Sequence, residues 1–156
     1  MRLFARRWAW LKWLPALLFA SLIFMFSATP GEEVAESFDA LSETVSTLAA
    51  PTQSVPALEP AAPSLQIDWL KVGHGIGYFC LGFSTLFALL ERKNAPLLTL
   101  TLCAVYALTD EIHQSLTPDR SMSGWDILLD SLAALAGILL LRAVIERVRV
   151  LDANKP

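Results

Sequence analysis

The sequence has few charged residues and few of the side chains that commonly carry site chemistry. Only 17% of its 156 residues are charged, against about 25% in a typical soluble domain. It has two histidines and two cysteines. Cys80 and Cys103 stand inside apolar runs, so we expect two small core thiols and no disulfide framework. There is no basic stripe outside the terminal segments, which argues against a nucleic-acid partner.

Apolar residues make up 54% of the chain and fall in four blocks. About 20 residues at about 1.5 Å each cross a hydrocarbon core of about 30 Å. The sequence therefore predicts an all-α protein, an integral membrane four-helix bundle. The first run ends in F-S-A-T-P-G without a clear A-x-A pair, which favours a retained helix over a cleaved signal peptide. The predicted units are 1–28 with the first helix, 29–70 as a connection, 71–145 with helices at 71–90, 96–116 and 123–145, and a tail at 146–156.

Lysine and arginine are distributed unevenly. Segments 1–12, 91–94 and 142–156 hold ten of the twelve basic residues, and the rest are Lys71 and Arg120. The positive-inside rule then places both termini in the cytoplasm. The connections 29–70 and 117–122 are predicted to lie outside a multi-pass protein of the inner (plasma) membrane.

The first connection is predicted to contain an acidic amphipathic helix at 29–49 and a proline-rich linker at 50–64. Apolar residues recur at helical spacing, with acids in the gaps, through Val34, Phe38, Leu41, Val45 and Leu48. Anionic headgroups would repel this acidic face. We therefore expect the apolar stripe of residues 32–49 to pack on the mouth of the bundle or on a protein partner.

The third apolar run ends early, at Leu108. A helix that starts at Pro96 must continue to about Leu116 to cross the bilayer. Asp110 then lies about 9 Å below the outer boundary, and His113 about 4–5 Å below it. The polar residues that follow Leu108 are thus predicted to be partly submerged.

The same count on the other helices predicts two levels of polar groups. The second helix is counted from Lys71 and the fourth from Ser123, where Ser123-x-x-Asp126 has the form of a capping box. The upper level, about 4–5 Å deep, holds His74, His113 and Asp126, and the lower level, about 9–10 Å deep, holds Tyr78, Asp110 and Asp130. Ionisable groups cost about 2.5–3.5 kcal/mol at mid-bilayer, so we expect these to face one another. Four glycines are expected to allow close helix approach: Gly73, Gly75, Gly77 and Gly82.

Three functions fit these residues. In the first, the site binds or handles an envelope lipid or a small anionic ligand, with Lys71 and Arg120 contacting a phosphate or carboxylate. The predicted ligand-binding residues are Lys71, His74, Tyr78, Glu111, Gln114, Arg120, Asp126 and Asp130. In the second, the protein is a membrane-embedded hydrolase or transferase with Asp110 and His113 as an acid–base pair. In the third, it is a non-catalytic scaffold that binds a partner through residues 32–49.

Other chemistries have little support in the sequence. Histidine and carboxylate side chains suit zinc or manganese, but neither H-E-x-x-H nor a set of cysteine ligands is present, so no metal site is predicted. No G-x-S-x-G nucleophile motif occurs either. The sequence identifies no cofactor.

Four motifs resemble the VanZ-like membrane protein family. They are F-S-A-T-P after the first helix, K-V-G-H-G-I-G-Y-F-x-L-G at Lys71 to Gly82, D-E-I-H-Q-S-L-T-P-D-R-S at Asp110 to Ser121, and D-I-L-L-D-S-L at Asp126 to Leu132. Asp130 stands where the family usually has Asn, and Ala133 where it usually has Gly. The connection 29–68 is atypical. The resemblance implies a cell-envelope role and a link to tolerance of the glycopeptide teicoplanin, while the family's biochemical activity is not established.

Overall fold

The structure is a computed structural model that describes residues 9–29, 40–41, 43–45, 47–48, 69–117 and 121–154. The described residues form four long helices: α1 (Leu14–Ala28), α2 (Trp69–Leu89), α3 (Ala95–Gln114) and α4 (Gly124–Ala153). A 3-10 helix, Ala9–Trp13, precedes α1. The described residues include no strand, so the predicted all-α class is confirmed. Each long helix, with α1 counted together with the 3-10 helix, is long and apolar enough to cross a membrane.

Local chemistry explains where the helices begin. Proline occupies the first turn of α1 and of α3, where its missing N–H breaks no helical hydrogen bond. Ser123 is the N-cap of α4, and its hydroxyl accepts a hydrogen bond from the backbone N–H of Asp126 at 3.3 Å. The capping pattern in the sequence placed this start at the same residue.

The helix ends differ from the sequence-based bounds. α3 ends at Gln114 rather than at 116, and its chain continues as a turn in which the N–H of Leu116 donates to the carbonyl of His113 at 3.1 Å. α4 continues past 145 to Ala153. Its 30 residues correspond to about 45 Å, more than a bilayer core. The prediction ended α4 where the apolar run ended, but no proline or glycine stops the helix there.

α2 and α4 approach each other closely at two glycines. A Cβ on Gly82 would lie 2.3 Å from the carbonyl oxygen of Ala134, and a Cβ on Gly137 would lie 2.1 Å from that of Phe79. A Cβ on Gly77 would lie 2.9 Å from Cγ1 of Ile23 in α1. A Cβ on Gly73 or on Gly75 would meet nothing within 4 Å, so among the described residues the expected close approach is not found at these two glycines.

The four helices bring their polar termini together at one end of the bundle, here called the polar end. The end of α1, the start of α2, the end of α3 and the start of α4 meet there, through Ser27–Asp110 and Lys71–Asp126 contacts. The opposite end is joined by an ion pair between Lys12 and Glu91. Cys80 and Cys103 are both free thiols within the bundle.

The first connection is described only in part. Residues 40–41, 43–45 and 47–48 are helical, and the Thr44 hydroxyl donates to the carbonyl of Ala40 at 2.8 Å. Leu41, Val45 and Leu48 are each more than half exposed in the described structure. The rest of the predicted helix 29–49 beyond Thr29, and the linker 50–64, lie outside the described residues.

Candidate functional site

A buried hydrogen-bond network joins three helices at the polar end. The Ser27 hydroxyl of α1 donates to Asp110 Oδ1 of α3 at 2.6 Å. Ser27 Oγ also lies 3.2 Å from His74 Nε2 of α2. Asp110 Oδ2 lies 3.3 Å from that imidazole nitrogen. Gln114 Nε2 lies 3.1–3.2 Å from Ser27 Oγ, His74 Nε2 and Asp110 Oδ2. We call these four residues the polar network.

The polar network is closed to solvent. Ser27 is 0%, Asp110 3% and Gln114 9% exposed, and only 11% of the His74 side chain is exposed. A buried carboxylate without partners is costly, and here hydrogen bonds and an imidazole surround it. The arrangement differs from a serine–histidine–aspartate triad, because Ser27 and Asp110 approach the same imidazole nitrogen instead of opposite ones.

Two further contacts lie beside the network and fix the start of α4. Lys71 Nζ contacts Asp126 Oδ1 at 3.1 Å, with 56% of the lysine side chain exposed. Glu111, which is 2% exposed, accepts a hydrogen bond from the backbone N–H of Ser123 at 2.6 Å. A carboxylate at a helix N-terminus is favourable for the helix dipole. Glu111 therefore serves as an interhelical cap.

Tyr78 and Asp130 lie deeper in the bundle. Tyr78 is 0% and Asp130 5% exposed. The Tyr78 ring centroid is 6.5 Å from that of His74 and 6.1 Å from that of Tyr106. The Tyr78 hydroxyl is buried and has no hydrogen-bond partner among the described residues. The Tyr106 hydroxyl, in contrast, donates to the carbonyl of Ala20 at 2.6 Å.

His113 takes a different place from the one expected for an acid–base partner of Asp110. Its ring stacks on Phe24 of α1, with centroids 4.4 Å apart, and its Nδ1 has no hydrogen-bond partner within the described structure. The imidazole in contact with Asp110 is that of His74. Two side chains three residues apart on a helix lie on neighbouring faces, and here one turns into the bundle and the other against α1. Arg120 lies outside the described residues.

An apolar groove leads from the outer surface of the bundle to the network. It lies between α1 and α2 and has a volume of about 170 Å³. Its lining residues are Phe19, Leu22, Ile23, Phe26, Gly73, His74, Ile76 and Gly77. Gly73 and Gly77 open the groove because they have no side chains. His74 is the only ionisable side chain among its described lining residues.

Sequence reasoning missed Ser27 as a site residue. A single serine in an apolar helix is common, and its position in F-S-A-T-P was the one signal that pointed to it. The predicted residues that the structure brings into direct contact are Asp110, His74 and Gln114, and separately Lys71 and Asp126. Among the described residues, no group of three or more histidine, cysteine or acidic side chains could hold a metal ion.

Comparison with known proteins gives one match. The family model described as VanZ/LLP1 matches residues 12–146, which include all of α1, α2 and α3 and most of α4. No curated protein and no solved structure matches the chain.

Proposed function

Because the chain belongs to the VanZ/LLP1 family of membrane proteins, we propose that it binds a bilayer lipid at the polar end of its helical bundle. One observation carries this proposal: the apolar groove between α1 and α2 ends on His74, which belongs to the polar network. An acyl chain would occupy the groove, and the headgroup would lie at the network. The site thus combines an apolar groove with a few convergent polar groups, as ligand-binding sites generally do.

The groove is open to the side of the bundle, where a lipid acyl chain can enter it from the membrane. Leu22, Phe26 and Ile76 line it and are between 38% and 61% exposed. All three lie on helices that are long and apolar enough to span a bilayer. A lipid could therefore slide between α1 and α2 without leaving the hydrocarbon.

Lys71 at the polar end favours recognition of a lipid phosphate. Lys71 follows Trp69 at the start of α2, and more than half of its side chain is exposed while it contacts Asp126. A lysine ammonium is a strong partner for phosphate. The positive-inside distribution of basic residues favours an outer-leaflet location for this end, with both termini in the cytoplasm.

Lipid retention tests the proposal. We expect Ile76→Trp to fill the groove and to lower the amount of lipid that co-purifies with the protein about tenfold, equivalent to about 1.4 kcal/mol. Native mass spectrometry counts the bound lipids. The matched control is Ile112→Trp, since Ile112 is 49% exposed and lies on α3 away from the groove. Equal lipid retention by both variants and the wild type would overturn the proposal.

A second candidate function, hydrolysis or group transfer, is favoured by the Ser27 hydroxyl, which contacts both a carboxylate and an imidazole. If Ser27 is a nucleophile, a fluorophosphonate probe labels the wild type at this residue, and labelling is lost in Ser27→Ala but kept in Ser21→Ala. Ser21 lies on the same helix and is exposed. Absence of an adduct on Ser27 in detergent and in lipid would rule this function out.

A role in the cell envelope is proposed from the family alone. If lipid binding supports tolerance to teicoplanin, cells that carry the Ile76→Trp protein have a lower inhibitory concentration of teicoplanin than cells that carry Ile112→Trp at equal expression. Equal inhibitory concentrations for the two variants would contradict the link to teicoplanin tolerance and leave the lipid-binding proposal unaffected.

A further inference from the structure

The C-terminal part of α4 extends beyond the helical bundle. Ile145 packs against the buried cluster at the end of the bundle opposite to the polar end, and residues 146–154 are all exposed in the described structure. At about 1.5 Å per residue, residues 146–153 reach about 12 Å past Ile145. A helix that enters the bilayer at Ser123 leaves the hydrocarbon near Ala143, after about 20 residues. Residues 144–153, here called the α4 extension, therefore lie outside the hydrocarbon.

The α4 extension has an exposed apolar stripe with coiled-coil spacing. Val144, Val148 and Leu151 follow one another at steps of four and three and are 47%, 52% and 57% exposed. Leu141 continues this spacing into the bundle, where it is 6% exposed and belongs to the buried cluster. The stripe that a partner could cover thus begins at Val144. In a heptad, Val148 takes position a and Leu151 position d, a combination that favours two parallel strands.

Two opposite charges border the stripe. Arg147 directly precedes Val148 and takes position g, and Asp152 directly follows Leu151 and takes position e. In a parallel pair of helices, a residue at g lies opposite the residue five positions later, at e, of the other helix. Arg147 would therefore meet Asp152 of a second copy, and two-fold symmetry would form this contact twice. An antiparallel pair would instead bring like charges together.

The remaining charges of the α4 extension face away from the stripe. Arg149 and Glu146 take positions b and f, and they form an ion pair at 3.9 Å along the outer side of the helix. Apolar residues at a and d, complementary charges at e and g, and further charges at b and f are the distribution expected of a coiled-coil strand. The pattern is self-complementary, which favours a second copy over an unrelated partner.

The membrane supplies the parallel arrangement that this pattern requires. Copies of a membrane protein that insert with the same topology have their α4 helices in the same direction. A seam of three apolar positions is too short to hold two helices together in solution, since short helices are marginal by themselves. Confinement of both copies to one bilayer raises their effective concentration, so that a short seam can be sufficient.

We propose that the protein forms a homodimer in which the α4 extensions of two copies pair as a short parallel coiled coil. Val144, Val148 and Leu151 form the seam, and Arg147 of each copy contacts Asp152 of the other. This interface goes beyond lipid binding and does not depend on it, because the groove between α1 and α2 contains no residue of α4.

Cysteine crosslinking tests the seam. Two residues at the same d position of a parallel pair lie close enough for a disulfide. In isolated membranes under mild oxidation, we expect Leu151→Cys to give several-fold more covalent dimer than Val150→Cys. Val150 is the matched control because it is 48% exposed and lies on another side of the same helix. The wild type gives the background from Cys80 and Cys103.

Charge reversal tests the contact between Arg147 and Asp152. In the Leu151→Cys protein, Arg147→Glu should lower the yield of dimer several-fold, because a glutamate would face Asp152 of the second copy. The double variant Arg147→Glu with Asp152→Arg should restore the yield. Arg149→Glu changes the net charge equally but lies away from the seam, and it should leave the yield unchanged.

Each contrary result would overturn the proposed dimer. Equal yields from Leu151→Cys and Val150→Cys would show that Leu151 does not lie in a seam between two copies. A disulfide adduct with the mass of a different protein would show another partner. A double charge variant that stays as low as Arg147→Glu would contradict the parallel pairing. None of these results would affect the lipid-binding proposal, which the variant Ile76→Trp tests by itself.

Discussion

Ser27 of α1 and Asp110 of α3 are joined by a hydrogen bond of 2.6 Å, 83 residues apart in the sequence and almost completely buried. The hydroxyl donates and the carboxylate accepts, and hydrogen bonds to a charged acceptor are shorter and stronger than those between neutral groups. Because His74 and Gln114 approach the same two side chains, the bond is the centre at which α1, α2 and α3 meet.

Removal of the Ser27 hydroxyl should weaken the bundle. Ser27→Ala deletes the donor to Asp110 and leaves that carboxylate with fewer partners. Hydrogen bonds between membrane helices contribute about 0.6 kcal/mol on average and up to about 1.7 kcal/mol, so we expect a loss of unfolding free energy in this range. Unfolding in mixed detergent micelles measures it. Ser21→Ala, on the exposed face of the same helix, should leave stability unchanged, and an equal loss in both variants would contradict the role of Ser27.

Gly82 should tolerate no side chain. Gly82→Ala would bring a methyl group to 2.3 Å from a backbone carbonyl oxygen of α4, and a backbone atom moves only together with its helix. Overpacking of this kind costs about 1–3 kcal/mol. Gly75→Ala is the control, because a Cβ there would meet nothing within 4 Å and alanine favours a helix by about 1 kcal/mol over glycine. The midpoints of thermal unfolding should therefore move in opposite directions, and a stable Gly82→Ala protein would contradict the α2–α4 packing.

The Lys12–Glu91 ion pair should depend on pH in a defined direction. The hydrogen bond from Lys12 lowers the pKa of Glu91 below its ordinary value of 4.5. A carboxyl with a lower pKa in the folded state contributes stability above its unfolded pKa, and this contribution is lost as pH falls through the folded pKa. The stability difference between the wild type and Glu91→Gln should thus be present at pH 7 and vanish at strongly acidic pH. A difference that persists there would show that the charge is irrelevant.

The orientation of the bundle can be checked with single cysteines. If the polar end is outside, Gly124→Cys is labelled by a membrane-impermeant maleimide on intact cells, and Asn94→Cys is labelled only after permeabilisation. Both positions are exposed in the structure. The wild type gives the background from Cys80 and the buried Cys103. Labelling of Asn94→Cys on intact cells would reverse the orientation that the basic residues predict.

The sequence predicted the helices better than their contacts. Long apolar runs identify membrane-spanning helices by hydropathy alone. The capping pattern at Ser123 predicted the start of α4. Rotation of a helix about its axis is harder to predict, since it depends on the neighbours. This is why a Cβ on Gly77 or Gly82 would touch a neighbouring helix, while a Cβ on Gly73 or Gly75 would meet no described atom within 4 Å.

Counting residues along a helix predicts the depth of a residue but not the direction of its side chain. His74 and Asp110 were placed about 4–5 Å apart in depth, yet their side chains approach to 3.3 Å. His74 and His113 were placed at equal depth, but His113 stacks on Phe24 instead of joining the network. Side-chain length and helix rotation decide such contacts, and neither is visible in a linear count.

Photocrosslinking with a lipid that carries a diazirine in its acyl chain tests the lipid-binding account most directly. Adducts on the reconstituted wild-type protein should concentrate on the peptides that line the groove, 19–26 and 73–77. Ile76→Trp should lose them, and Ile112→Trp should keep them. Leu97, Val105 and Leu139 are more than half exposed and lie outside the groove, so they report unspecific contact with the bilayer. Adducts spread evenly over these residues and the groove would contradict a lipid-binding site between α1 and α2.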